Sequence, residues 1–121
     1  MTATDTLPQA PATTRTILDF DAVLRTYEAV SRALPETPAW SYPLLNAEAG
    51  VEVVVKHENI QPTGAFKVRG GVALMAALSP EERRRGVVTA STGNHAQSLA
   101  WAGARSEVPV TVVVRTAVKG A

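Results

Sequence analysis

Residues 63–71 read TGAFKVRGG, and this stretch decides how the rest of the sequence is interpreted. Lys67 stands among small and apolar residues, directly behind a Thr-Gly turn. The turn predicts a helix from about residue 65 to residue 78, with Thr63 as its cap. A helix N-terminus and apolar neighbours both disfavour an ammonium ion, so the pattern predicts a desolvated, neutral amine that can condense with a carbonyl. A structural lysine whose stem covers apolar surface is the alternative.

A second turn follows a strand-like VVTA segment, where residues 91–97 read STGNHAQ. Ser91, Thr92 and Asn94 are residue types that cap helices, and Gly93 allows a sharp bend. Free backbone amides at such a turn can bind a carboxylate or a phosphate, although an ordinary capped helix has the same composition. Because open α/β sheets bind ligands at the carboxyl ends of their strands, the two turns favour a shared cleft.

The remaining pattern predicts a helix, a strand, a helix, a short helix, a strand, a helix and a strand. Apolar residues recur at helical spacing between Asp19, a cap, and Pro35, a stop. Residues 36–46 contain two prolines directly after Pro35 and predict an extended loop. VEVVVKHE at residues 51–58 predicts a strand. Ser79 predicts a capping box for the short helix, and Gly103 predicts the end of the last helix. Alternating helices and strands predict an α/β fold with parallel strands.

The composition excludes several classes of function. The 121 residues are 45% hydrophobic and 19% charged, with a net charge of +1, so nothing indicates disorder or a nucleic-acid partner. There are no cysteines, and His57 and His95 lie too far apart to suggest a metal site. No apolar run approaches the length of a membrane span, and residues 1–16 lack the apolar core of a secretory signal. We therefore expect a flexible leader over residues 1–16 and a cytoplasmic protein.

The two turns together carry a family resemblance. KHENIQPTGAFKVRGG at residues 56–71, followed by TASTGNHAQSLAWA at residues 89–102, resembles the fold-type-II pyridoxal-phosphate enzymes. The threonine and serine ammonia-lyases are most similar, with serine racemase close to them, over about residues 35–114. The resemblance implies the three-layer, parallel-sheet α/β fold of the tryptophan synthase beta-like type, incomplete in this chain. Residues 17–79 would form part of the large, lysine-bearing domain, and residues 80–121 the first strand–helix–strand of the small domain.

The resemblance also implies roles for individual residues. Lys67 would form the internal aldimine with pyridoxal 5'-phosphate and then act as the acid and base at the substrate α-carbon. Phe66 would position the cofactor ring, and Asn94 would donate a hydrogen bond to the cofactor's phenolic oxygen. The loop that would bind the substrate carboxylate consists of Ser91, Thr92, Gly93, Asn94 and His95.

The implied reaction is the deamination of L-threonine or L-serine to a 2-oxo acid and ammonia, as in amino-acid metabolism such as isoleucine biosynthesis. Thr92 stands where the racemase has a serine, which favours elimination over racemisation. Racemisation, β-replacement and threonine synthesis on the same scaffold are alternatives, and so is a remnant without activity. The family suggests a homodimer that acts on a small amino acid and binds neither nucleic acid nor membrane.

The sequence also departs from the family. Its members are usually more than twice as long, and their glycine-rich phosphate loop lies beyond the position of Ala121, so we expect a fragment. Arg115 stands where a proline is common. Several other residues of the pattern are assigned structural roles. Lys56, Glu58 and Asn59 would hold the strand-to-turn geometry, and Arg69 would be an ion-pair partner. His57 would be packed or half-exposed, Trp40 and Trp101 would lie in the core or an interface, and residues 83–85 would form a solvated turn.

Overall fold

The structure, a computed structural model, describes residues 19–115, which form five α-helices and four short strands. In chain order these are α1 (Phe20–Ala33), β1 (Ala39–Ser41), α2 (Pro43–Ala49), β2 (Val54–Lys56), a 3₁₀ helix (Glu58–Ile60), α3 (Lys67–Ala77), α4 (Pro80–Arg85), β3 (Val87–Ala90), α5 (Asn94–Ser106) and β4 (Val110–Val113). The predicted leader at residues 1–16 lies outside the described residues.

Single residues set several helix ends as the sequence predicts. The Asp19 carboxylate accepts a hydrogen bond from the Asp21 amide at 3.0 Å and caps α1. That helix ends at Ala33, just before Pro35. At α4, the Ser79 hydroxyl and the Glu82 carboxylate each accept from the other's backbone amide, which is the predicted capping box.

The strands form two separate pairs, and only one of them is parallel. β3 and β4 pair in parallel, with Val87 opposite Val110, as predicted. β1 and β2 pair antiparallel, with Ala39 opposite Lys56, so the prediction of parallel strands is wrong for this half. The loop predicted over residues 36–46 is also wrong in part, because it contains β1 and the start of α2. Pro43 begins α2 at a position whose amide needs no helical partner, so this proline starts a helix.

The core lies between α3 and α5. Val68 and Met75 of α3 are buried, as are Leu99 and Ala102 of α5, and Leu34 extends the same cluster. Because apolar burial is the main stabilising term, this helix pair organises the described residues. The division into two domains near Ser79 stays a prediction. Within the described residues, helices from both sides of that border share this core.

The two helices run side by side in the same direction. Near their starts, the Ser98 hydroxyl donates to the Lys67 carbonyl at 2.6 Å. Near their ends, the Arg83 guanidinium donates to the Met75 carbonyl at 2.9 Å and to the Ser106 carbonyl at 2.6 Å. The prediction that residues 83–85 form a turn is therefore wrong, because all three lie in α4. Arg84 and Arg85 are exposed as expected, whereas the charge of Arg83 satisfies carboxyl-terminal carbonyls of two helices.

The prediction that Gly103 ends α5 is wrong, because the helix continues to Ser106. Glu107 provides the left-handed residue after it, with φ of 55°. Gly103 instead allows β4 to approach the helix, since a Cβ at this position would lie 2.3 Å from Val110 Cγ2.

Two apolar surfaces remain exposed. One face of α1 presents Phe20, Val23, Leu24 and Tyr27. On the β3–β4 pair, Val88 is 73% exposed and Val113 is 56% exposed. None of the helices within residues 19–115 is both long enough and apolar enough to cross a membrane.

Candidate active site

Lys67 is the first residue of α3, so the predicted placement at a helix start is confirmed. The helix begins at Lys67 and not near residue 65, and Thr63 does not cap it. The Thr63 hydroxyl instead donates to the Ala65 carbonyl at 3.4 Å. Gly64 has φ of 66°, a left-handed conformation that a glycine adopts without strain, and it turns the chain toward Phe66.

The Lys67 side chain is exposed, so the expectation of a desolvated amine is wrong for the described residues. Sequence neighbours alone do not bury a side chain, because Phe66 is itself 59% exposed and Ala65 is small. The Lys67 Nζ lies 5.1 Å from the centroid of the Phe66 ring, a cation–π distance. The lysine therefore presents an accessible primary amine beside an aromatic ring.

An ion-pair network holds the backbone before and after Lys67. Arg69 Nε and Nη2 each donate to the Glu58 carboxylate at 2.7 Å, and the Thr37 hydroxyl donates to the same carboxylate. Hydrogen bonding to Arg69 lowers the pKa of Glu58 from 4.5 to about 2, against the raising effect of its burial. The same bond raises the pKa of Arg69. Lys56 donates to the Thr37 carbonyl, which ties β2 to this network.

These contacts agree with the structural roles predicted for Lys56, Glu58 and Arg69. Asn59 is exposed in the 3₁₀ helix, and its role stays a prediction. His57 is packed as expected. Its Nε2 lies 2.7 Å from the Tyr42 hydroxyl, and its ring centroid lies 5.0 Å from that of Trp40.

The two tryptophans differ in burial. Trp40 is largely exposed on β1, so it does not lie in the core. Trp101 is half-buried against the core and contacts the Arg105 guanidinium, which lies 4.9 Å from its ring centroid.

The second turn joins β3 to α5 and is more open. Gly93 is the cap residue of α5, and no side chain caps this helix, so the prediction that Ser91, Thr92 or Asn94 does so is wrong. The Ser91 hydroxyl instead accepts from the Gly93 amide at 3.2 Å. Ser91 is half-buried, whereas Thr92, Gly93, Asn94 and His95 are exposed. Their polar groups are accessible to a ligand.

A shallow cleft of about 470 Å³ lies beside this turn, where β3 and β4 end together. Ser91 and Thr92 line it from the turn, and Arg115 lines it after β4. The cleft therefore lies at the carboxyl ends of parallel strands, where α/β sheets bind their ligands.

The two turns lie near each other because Ser98 contacts Lys67. Ser98 is 1% exposed, and its hydroxyl donates to the Lys67 carbonyl at 2.6 Å. Asn94 and Ser98 are four residues apart on α5 and therefore share a helix face, separated by about 6 Å along the axis. The Lys67 carbonyl thus contacts α5 about one helical turn after Asn94.

Ser98 was missed by the sequence reasoning, although a signal for it existed. A Cβ at Gly71 would lie 2.5 Å from the Ser98 Oγ and 2.6 Å from the Ser98 carbonyl oxygen. Gly70 has open space around it. The Gly-Gly pair inside a helix indicated a close approach to the backbone, but it did not identify the partner.

The residues present are compatible with the aldehyde end of pyridoxal phosphate. Such a group needs an accessible amine, an aromatic neighbour and hydrogen-bond donors to its oxygens. Lys67 and Phe66 supply the first two, and the exposed Asn94 side chain supplies an amide. Among residues 19–115, no cluster of three or more histidine or acidic side chains could hold a metal ion.

Comparison with known proteins agrees with these features. The family described as "Pyridoxal-phosphate dependent enzyme" matches residues 30–121. An L-threonine ammonia-lyase of Thermotoga maritima is 49% identical over 71 residues, which are 59% of this chain and 18% of the relative. An L-threo-3-hydroxyaspartate ammonia-lyase of a Pseudomonas species is 37% identical over 94 residues, or 78% of this chain and 30% of the relative.

A solved structure shows the fold. The serine racemase of Dictyostelium discoideum has a TM-score of 0.79 and 33% identity, and the match covers 85% of this chain and 34% of that one. The described residues therefore form part of the tryptophan synthase beta-like fold, as expected from the resemblance. The matched part of the chain spans 18–34% of the length of these three proteins.

Proposed function

Because the chain belongs to the pyridoxal-phosphate-dependent enzyme family, we propose that it carries the lysine and the carboxylate-binding turn of an ammonia-lyase for β-hydroxy amino acids. The observation that supports this most directly is the contact between Ser98 and Lys67. It places the backbone of Lys67 against α5 about one helical turn after Asn94, which is the first residue of that helix. Activity would be a property of the whole protein to which these residues belong.

Each turn would have its own task. Lys67 would attach the cofactor through Nζ and would afterwards take a proton from the substrate α-carbon with the same atom. The amides and side chains of residues 91–95 would hold the substrate carboxylate, since the first amides of a helix bind anions. Phe66 would lie against the cofactor ring. The bound cofactor would supply the electron sink that stabilises a carbanion at the α-carbon.

The proposed reaction is a deamination that begins with the loss of water from a β-hydroxy amino acid. The substrate loses its α-proton to Lys67 and its β-hydroxyl as water. Addition of water to the resulting unsaturated amine then releases ammonia and a 2-oxo acid. The net products from L-threonine or L-serine are therefore one 2-oxo acid and one ammonia, with no oxidant or reductant. L-threo-3-hydroxyaspartate, which the Pseudomonas relative is named for, has the same β-hydroxyl and is a further candidate substrate.

Racemisation is the second candidate, because the solved relative is a serine racemase. Reprotonation from the opposite face requires a second proton carrier. The Thr92 hydroxyl, exposed beside the cleft, is the group in this chain that would serve.

Labelling of lysines tests the proposal. The sequence contains three lysines, and Lys56 and Lys119 serve as internal controls for Lys67. After incubation with pyridoxal phosphate and reduction with borohydride, peptide mass spectrometry should locate the adduct mainly on Lys67. Lys67→Ala should abolish it, whereas Lys56→Ala should leave it unchanged. Equal labelling of all three lysines, or none at saturating cofactor, would remove the proposal.

Product analysis then separates the two reactions. Protein that has been incubated with pyridoxal phosphate but not treated with borohydride is given L-threonine and L-serine, and 2-oxo acid and D-amino acid are both measured. Accumulation of 2-oxo acid supports the ammonia-lyase, and accumulation of D-serine alone supports the racemase.

A further inference from the structure

Near Lys67, α3 and α5 are joined by a buried serine that faces a glycine. Ser98 is a buried polar residue whose hydroxyl reaches across to the other helix and donates to the Lys67 carbonyl at 2.6 Å. The approach is possible because Gly71, one turn after Lys67, has no Cβ. A Cβ there would lie 2.5 Å from Ser98 Oγ. Serine and glycine together bring the two helix backbones into contact at the residue that carries the amine.

The acceptor of this bond matters for the chemistry. Lys67 is exposed, and its long side chain has several rotatable bonds, so the position of its backbone sets where Nζ can reach. The Ser98 bond holds the peptide group that belongs to Lys67 itself. Ser98 also shares a face of α5 with Asn94, four residues earlier. One buried hydroxyl therefore connects the backbone of the amine-bearing residue to the helix that begins at the carboxylate-binding turn.

We propose that Ser98 is a positioning residue, which holds Lys67 at a fixed place relative to the turn at Asn94 so that Nζ and a carboxylate bound at that turn stay within reach of each other. This inference rests on the proposed function. It gives a role to Ser98, a residue of the second quoted segment to which the sequence assigned none, together with Gly71, which makes room for it.

The first experiment measures geometry without cofactor. The sequence has no cysteine, so Asn94→Cys introduces a unique thiol at the first residue of α5. A short amine-to-thiol crosslinker, with peptide mass spectrometry, then reports how often Lys67 and position 94 are within reach. The Lys67 crosslink should form in high yield in the Asn94→Cys protein, and its yield should fall roughly tenfold when Ser98→Ala is added. An unchanged yield would overturn the proposal.

The second experiment measures reactivity and includes two matched controls. The ratio of borohydride-fixed pyridoxal phosphate on Lys67 to that on Lys56 should fall roughly tenfold in Ser98→Ala. Ala102→Gly destabilises the same helix and core but keeps the hydroxyl, and Ser31→Ala removes a serine-to-carbonyl bond within α1. Both controls should keep the wild-type ratio under conditions where all variants are folded.

These outcomes separate the inference from the proposed function. If Ala102→Gly lowers the labelling ratio as much as Ser98→Ala does, Ser98 has only a stabilising role and the inference is wrong. If the wild-type chain forms no Lys67 adduct, the proposed function fails. The crosslinking yield still decides whether Ser98 holds Lys67 near position 94.

Discussion

The starts of α3 and α5 are close in space but differ in how they are held. At the start of α3, Arg69 forms two hydrogen bonds to Glu58, and the Lys67 carbonyl accepts from the buried Ser98. At the start of α5, the bond from the Gly93 amide to the Ser91 hydroxyl is the side-chain contact that the described residues provide. One turn is fixed by its neighbours, and the other leaves the side chains of Thr92, Asn94 and His95 exposed.

The difference shows how a site can divide its tasks. An amine that must reach one atom benefits from a fixed backbone, because small displacements of a reacting group lower rates strongly. A loop that binds a carboxylate must instead keep its donors free, since groups already bonded to other protein atoms are unavailable to a ligand. Substitutions of the residues that hold the backbone of the first turn should therefore act mainly on stability, and substitutions in the second turn mainly on ligand binding.

Gly71→Ala should have the largest effect. The added Cβ would lie 2.6 Å from the Ser98 carbonyl oxygen, a backbone atom that cannot move without shifting the helix. We expect the free energy of unfolding to fall by about 3 kcal/mol, measured by urea denaturation. Gly70→Ala is the matched control. It has open space, so it should be neutral or add up to about 1 kcal/mol. Similar losses in both variants would mean that the helices do not cross at Gly71.

Glu58→Gln should have the next largest effect and a distinct pH dependence. Its side chain is 17% exposed, and loss of the charged bonds to Arg69 should lower the free energy of unfolding by about 2 kcal/mol at pH 7. The folded-state pKa of Glu58 is lowered from 4.5 to about 2, so its stabilising contribution is present above about pH 5 and is lost as the pH falls toward 2.

Urea denaturation at several pH values measures this contribution. Between pH 5 and pH 2, stability should fall less steeply in Glu58→Gln than in the wild type. The same change at the exposed Glu48 should leave the wild-type slope in place. Parallel curves for wild type and Glu58→Gln would contradict the assignment.

Arg83→Ala tests the opposite ends of the same two helices. It removes two hydrogen bonds to helix carbonyls and should cost about 1.5 kcal/mol in thermal or urea unfolding. Arg84, the neighbouring control, forms an exposed pair with Glu81, and Arg84→Ala should cost less than about 0.5 kcal/mol. Equal losses of stability in the two variants would mean that the Arg83 guanidinium is solvated, as that of Arg84 is.

Asn94→Ala should have the smallest effect on stability. Its side chain is exposed and does not cap α5, so the free energy of unfolding should change by less than about 0.5 kcal/mol. Cofactor affinity in a spectroscopic titration should nevertheless fall by roughly tenfold, the value of one hydrogen bond. Asn59→Ala, at an exposed asparagine outside the turn, should leave cofactor affinity unchanged. A large loss of stability in Asn94→Ala would contradict the difference between the two turns.

The sequence was most informative where structure is decided locally. The Asp19 cap, the stop before Pro35 and the Ser79 capping box depend on residues a few positions apart, and all three are confirmed. The two turns could also be located, because Gly64 and Gly93 follow polar residues at the start of helical periodicity. The family followed from those turns.

Contacts between distant residues could not be predicted in the same way. Gly71 contacts Ser98 and Arg83 contacts Ser106, each more than twenty residues away in the sequence, and only the packing of α3 on α5 brings them together. The pairing of β1 with β2 was missed because strands of three residues carry little periodic signal. Burial of Lys67 was predicted from its sequence neighbours, whereas exposure depends on what packs across the helix.

The shared direction of α3 and α5 has a consequence for the energetics of ligand binding. Two parallel helix dipoles repel each other, with about half an elementary positive charge at each N-terminus and the same negative charge at each C-terminus. Arg83 offsets this repulsion at the carboxyl ends, where its cation bonds both helices. An anion held at the opposite end would complete the compensation, so its binding would tighten the helix pair and raise the melting temperature of the protein.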